Sequence, residues 1–118
     1  MRLSEKQRDF TCMMARLIIW AYGRGLELTM GHAWRDTETQ RRLVAMKLSK
    51  TIKSKHLDRL AVDLNLFIEG RYATNSEDYR VLGEFWESMG GRWGGRFGVD
   101  KTDYATKIGW DAGHFEYN

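Results

Sequence analysis

The sequence predicts an α+β fold in which a small antiparallel sheet packs with about three helices, in one domain spanning residues 1–118. Three observations predict it. Apolar residues recur at helical spacing in three separate segments. Between and after them lie short stretches that alternate or bunch apolar residues as strands do. Glycines then fall where the first and third helices must stop.

The first helix carries Phe10, Met13, Met14, Leu17, Ile18 and Ala21 on one stripe, with Ser4 and Gln7 spaced as a capping box and Gly23 and Gly25 at its end. Leu26 to Met30, "LELTM", alternates apolar and polar and suits a half-buried strand. "DTETQRRLVAMKL" follows as a second helix, capped by Asp36 or Thr37. From Ala61 to Ile68 a second strand sends Val62, Leu64, Leu66 and Ile68 to one face and Asp63, Asn65 and Phe67 to the other. "EGRY" reads as a turn. The third helix, "SEDYRVLGEFWESMG", aligns Tyr79, Leu82, Phe85, Trp86 and Met89 and closes on Gly90 and Gly91. "GGRWGGRFG" is glycine-rich enough to be expected as a loop, and "HFEY" is expected as the last strand.

Composition narrows the function. With 118 residues, 42% apolar and 30% charged, the chain can bury about two-thirds of its unfolded surface and matches neither disordered nor membrane-embedded proteins. Cys12 is the sole cysteine, which excludes an internal disulfide and a thiolate-rich zinc site, so any metal must use histidine and carboxylate ligands. A net charge of +3 and a pI near 9.1 favour anionic polymers without naming one. Arg16 breaks the N-terminal apolar run, and Glu5 and Asp9 sit where a signal peptide is basic, so a folded helix is expected there and no signal peptide.

Asp63 is the anomaly: a carboxylate in the middle of a hydrophobic strand, with His56 seven residues before it. Unpaired, such a charge costs several kcal/mol, so it needs a partner. Arginine, backbone donors or a metal ion would each serve. For His56 and Asp63 to share one ion, their donor atoms must lie within about 3.5 Å of each other. Seven residues of helix separate them by about 10 Å, and seven of strand by more than about 20 Å. Sharing therefore requires His56 to Leu60 to be a loop that folds back beside the strand.

"SKHLDRLAVDL", followed near the C-terminus by "DAGHFEY", resembles the M15 family of zinc peptidases, especially the short phage endolysins that cleave peptidoglycan peptides. The family's SxHxxxxxxD pattern and its later acidic-x-x-His pair are met by Ser54, His56, Asp63, Asp111 and His114, and its arginine before the second helix by Arg35. The resemblance covers Leu26 to Glu116. Two departures stand out: Arg59, where many members have glycine, and Arg96 near the expected substrate approach, where many carry an acidic residue.

The resemblance implies Zn²⁺ held by His56, Asp63 and His114, with an open fourth position for water. It implies Asp111 as general base and Arg35 as the stabiliser of the developing oxyanion or a clamp on a substrate carboxylate. Ser54 is a candidate for substrate binding, and Trp93 a candidate lining of the substrate cleft. His32 matches no ligand position and is read as structural, and Glu116, on the same strand face as His114, is not assigned to the site.

The expected function is thus zinc-dependent hydrolysis of the stem peptide, at the L-Ala to D-Glu bond, by a monomeric phage-type endolysin made in the host cytoplasm and acting on periplasmic peptidoglycan. Two alternatives are a D-Ala-D-Ala carboxypeptidase or dipeptidase, and a non-catalytic module in which zinc is structural. Nucleic acid is not expected as a partner, because Arg and Lys are scattered and form no single stripe. Membrane insertion is not expected either.

Overall fold

The computed structural model describes residues 1–33, 36–46 and 55–118. Among these residues the chain forms α1 (Leu3–Gly23), β1 (Leu26–Met30), α2 (Thr37–Ala45), β2 (Ala61–Ile68), β3 (Arg71–Tyr72), α3 (Arg80–Ser88), β4 (Arg92–Trp93) and β5 (His114–Glu116). The α+β architecture predicted from the sequence is the one observed. The strands make one antiparallel sheet in the order β1-β2-β5-β4, with β3 also paired to β2.

In α1 the predicted stripe is the buried one: Phe10, Met13, Leu17 and Ala21 face the sheet. The expected capping box does not form. Arg2 is the N-cap residue, so Ser4 already lies inside the helix, and Gln7 instead donates its Nε2 to the carbonyl oxygen of Asp58 at 2.8 Å. Asp36 caps α2 as predicted, accepting from the Thr39 amide at 2.6 Å. The third helical segment is split: a 3-10 turn over Ser76–Tyr79, capped by Asn75, leads into α3.

Strand β2 is the axis of the molecule. Leu26 to Met30 of β1 face Ile68 to Leu64 along one edge. On the other edge β3 folds back through Glu69 and Gly70, both at positive φ, the two-residue hairpin geometry whose twist matches the strands. "EGRY" is therefore a two-residue turn plus a short strand. Further along the same edge, Ala61, Val62 and Asp63 face Glu116, Phe115 and His114 of β5.

The glycine-rich "GGRWGGRFG" is not the irregular loop expected. Arg92 and Trp93 form β4 against β5, and a 3-10 turn follows over Gly94–Arg96. Trp86, Trp93 and Phe115 are wholly buried and, with Phe10 and Leu82, make the core beneath β5. Each indole N–H also finds a carbonyl on that segment, from Trp86 to Glu116 at 2.9 Å and from Trp93 to Ala112 at 2.7 Å. Buried tryptophans need such partners. Here they pin the backbone of β5 from below.

Candidate metal centre

Three segments deliver the site. The first is the turn before β2. Lys55 accepts at its carbonyl from the amides of Asp58 and Leu60, and His56 accepts from Arg59, so the chain doubles back within five residues. Arg59 takes φ +57 to complete the bend, a conformation that suits glycine better than arginine. His56 is thereby buried beside the strand, 1% exposed, through the loop its spacing from Asp63 demanded.

The second segment is β2. The Asp63 amide donates to the His32 carbonyl at 2.8 Å, and its carbonyl accepts from Gly31 at 2.7 Å. With the backbone so held, the side chain's position is set by the pleat. The third is β5, where His114 stands directly across from Asp63. The turn before it is closed by His114 donating its amide to the Asp111 carbonyl at 3.1 Å. Gly94 packs against this turn, and a Cβ there would collide with the Asp111 carbonyl oxygen.

One oxygen joins the two imidazoles. Asp63 Oδ1 lies 3.3 Å from His56 Nε2 and 3.2 Å from His114 Nδ1. The histidine rings meet edge to face at 5.1 Å, and the three side chains each offer a donor atom within 4.8 Å of the others. Among the described residues, two imidazole nitrogens and one carboxylate oxygen converge here, a donor set that would suit a divalent cation such as zinc.

The electrostatics match. Burial disfavours the charged form of Asp63, but hydrogen bonds from His114 and His56 overcome that and hold its carboxyl well below the usual range. Burial likewise disfavours His114 imidazolium, yet its hydrogen bonds with Asp63 and Glu116 and the nearby Asp111 charge outweigh it, and its pKa is pushed up to about 9. An anion-rich pocket that attracts a proton this strongly attracts a cation for the same reason.

Asp111 sits at the rim, its Oδ2 3.7 Å from His114 Nδ1 and partly exposed. A cleft of about 460 Å³ opens beside it, lined among others by Asp63, Asn65, Tyr72, Trp110 and Asp111.

Two expectations require correction, and two fall outside the described residues. Trp93 does not line the cleft. It is 0% exposed, because its ring fills the core and its N–H is spent on Ala112. Arg96 is not poised at a substrate approach. Its guanidinium grips Glu87 through two hydrogen bonds of 3.0 Å and stacks on Tyr104 at 4.4 Å. Arg35 and Ser54 lie outside the described residues. Trp110, 53% exposed at the cleft, is the aromatic that sequence reasoning passed over. Glu116 was set aside too, although its place two residues after His114 put it on the same strand face. Its Oε1 lies 2.8 Å from His114 Nε2.

The sequence model of the family described as D-alanyl-D-alanine carboxypeptidase, within the M15 peptidases, matches residues 47–117, well over half of the chain. No curated protein matches the sequence. Among solved structures, the L-Ala D-Glu endopeptidase ChiX of Serratia marcescens is similar at TM-score 0.65 and 23% identity, over 99% of this chain and 86% of that one. The vancomycin-resistance D,D-pentapeptidase VanY from a VanB-type cassette, solved with Zn(II), is similar at TM-score 0.62 and 24% identity, over 92% of this chain and 70% of that one. The same enzyme solved with D-alanine-D-alanine gives the same score and identity. At these identities the likeness is one of fold.

Proposed function

Because this chain belongs to the M15 family of peptidases, we propose that it hydrolyses an amide bond in the peptide stem of bacterial peptidoglycan, with zinc held by His56, Asp63 and His114. The observation that carries this reading is the convergence of those three donors beside a cleft that Asp63 and Asp111 line.

Bound there, zinc supplies Lewis acidity, making water acidic enough to yield hydroxide near neutral pH and polarising a carbonyl. The protein does the rest. Asp111 receives the proton of the attacking water on its carboxylate and delivers it to the nitrogen of the departing amine. Its partial exposure to the cleft suits that exchange, and its distance from His114 keeps it beside the ligand set. Arg35, assigned from the resemblance, supplies positive charge to the carbonyl oxygen as it becomes anionic. Asn65, Tyr72 and Trp110 line the cleft that takes the peptide.

The bond we assign is L-Ala to D-Glu, cut by an enzyme of phage endolysin type acting on the wall of its host. Supporting this are the sequence resemblance to the short endolysins and the fold shared with an L-Ala D-Glu endopeptidase over nearly the whole chain. Arg96, committed to Glu87, does not serve as a receptor for a free substrate terminus. A D-Ala-D-Ala carboxypeptidase is the second reading, favoured by the family description and the fold shared with a D,D-peptidase.

Purified sacculi digested with and without a chelator, with product masses read, test both. The expected products carry a new D-Glu amino terminus, form only when metal is present, and arise faster from sacculi than from free muropeptides. Release of D-Ala from free pentapeptides instead would establish the second reading, and hydrolysis indifferent to chelator would overturn the metal mechanism.

A further inference from the structure

Glu116 is a charged side chain, about 9% exposed, in the strand that carries His114. Its two oxygens have different partners. Oε1 accepts from His114 Nε2 at 2.8 Å, while Oε2 pairs with Lys55 Nζ at 3.3 Å and more distantly with Arg92 at 3.8 Å. Lys55 is the residue immediately before His56 in the chain, and its ammonium also donates to the carbonyl of Tyr117. One carboxylate thus ties the turn that supplies His56 to the strand that supplies His114, although the two come from sequence positions 58 residues apart.

We infer that Glu116 is a positioning residue for the metal centre, setting the tautomer and ring plane of His114 and, through Lys55, locking the His56 turn in register with β5. The chemistry is direct. A neutral imidazole has one N–H and one lone pair. An anionic acceptor at Nε2 keeps the proton there, which leaves the Nδ1 lone pair aimed at the side where Asp63 and His56 converge. Without that acceptor the ring could carry its proton on Nδ1 and present nothing to a cation. Lys55 at 3.3 Å and Arg92 at 3.8 Å from Oε2 favour the anion that this role requires.

This inference rests on the metal-site reading above, and its test separates the two. Zinc affinity is measured by chelator competition on the wild-type chain, on Glu116→Gln and on Lys55→Met. Alongside it come thermal melts of the metal-free forms and ¹⁵N spectra of the His114 ring in the zinc-loaded forms. Loss of such an outer partner weakens metal binding by about 10- to 100-fold. Glu116→Gln should fall in that range and Lys55→Met should show a smaller loss, with the Nε2–H signal of His114 displaced in the first. If Glu116 only stabilised the fold, the metal-free melts would drop while the folded protein kept wild-type affinity within about twofold, and the inference would be overturned. If the wild type takes up no zinc, the metal reading itself falls, whatever the variants do. Should Glu116→Gln not fold, Lys55→Met, whose side chain is 37% exposed, decides the case: unchanged affinity and unchanged ring signals count against the clamp.

Discussion

The two halves of β2 do opposite things. From Leu64 to Ile68 the strand is scaffold: β1 covers one edge, β3 returns along the other through a tight hairpin, and Leu64 and Leu66 are sealed in the core. From Ala61 to Asp63 the same strand changes neighbours. β5 replaces β3, and Gly31 and His32 continue the edge that β1 began. The cleft opens where the second edge passes from β3 to β5, lined by Asp63, Asn65 and Tyr72. Apolar burial specifies one half, and the other places a carboxylate between two imidazoles where burial alone would reject it. Val62 stays in the core at the second end and Asn65 lines the cleft from the first, so the two ends differ in their neighbours and in the role of Asp63.

The sharpest way to break that contrast is Asp111→Asn. Asp111 stands next to the chemical half yet outside the three-donor set, so the variant should lose activity on sacculi by about 10²- to 10⁴-fold. Zinc stoichiometry and melting temperature should stay at wild-type values. Loss of zinc in this variant would place Asp111 among the ligands and redraw the site. On the scaffold half, Leu66→Ala removes a side chain with no exposed surface. A loss of about 2 to 5 kcal/mol in urea unfolding is expected. The folded fraction should keep its zinc affinity, since Leu66 faces away from Asp63. If affinity fell with stability, the two halves would be one unit.

How legible the halves were differs in the same way. Periodicity exposed the scaffold: both long strands have the bounds read from the sequence, and the α1 stripe is buried at Phe10, Met13, Leu17 and Ala21 with Met14 and Ile18 half-buried beside them, because apolar burial leaves a repeating mark. β4 was not legible. Its glycines read as a loop, whereas Gly94 is there to let the Asp111 turn approach, a requirement visible only once the strands are assembled. In the chemical half, Asp63 announced itself by being charged in an apolar run. Trp93 misled because glycine neighbours suggest exposure, and here they make room for a ring. Arg96 misled because its partner, Glu87, sits on a helix that sequence order did not show folding beneath it. Glu116 carried a signal in its spacing from His114, but the hydrogen bond that gives it meaning depends on both strand pairing and rotamer.

Between these large effects lies a pH signature of the chemical half alone. In the metal-free protein His114 has its pKa raised to about 9, against about 6.5 for an unfolded histidine. A group whose folded pKa is raised stabilises fully below its unfolded value and loses that contribution as pH climbs through the folded one. Asp63, shifted downward, contributes above the ordinary carboxylate range and loses that contribution as pH falls below it. Chelated protein should therefore melt progressively lower from about pH 6.5 to 9. Zinc-loaded protein, in which the cation has replaced the His114 proton, should not show that slope. Identical profiles with and without chelator would mean that the cation and the proton do not compete for His114.

The smallest effect belongs to Arg59, which sits in the bend that feeds the chemical half. Its φ of +57 places it in the left-handed region, where a residue with a Cβ is disfavoured by roughly 1 to 2 kcal/mol. Glycine carries no such penalty but gives the unfolded chain more freedom, which offsets about 0.5 to 1 kcal/mol of the gain. The net expectation for Arg59→Gly is a stabilisation of up to about 1 kcal/mol in urea unfolding, with zinc affinity unchanged because the hydrogen bonds closing the turn run between backbone atoms of Lys55, His56, Asp58, Arg59 and Leu60, which glycine also supplies. Arg59→Ala separates the two contributions, since alanine keeps the Cβ and should recover none of the gain. If both variants lost stability equally, the arginine side chain would be holding the turn, and the bend that brings His56 to Asp63 would depend on a surface contact as well as on its backbone.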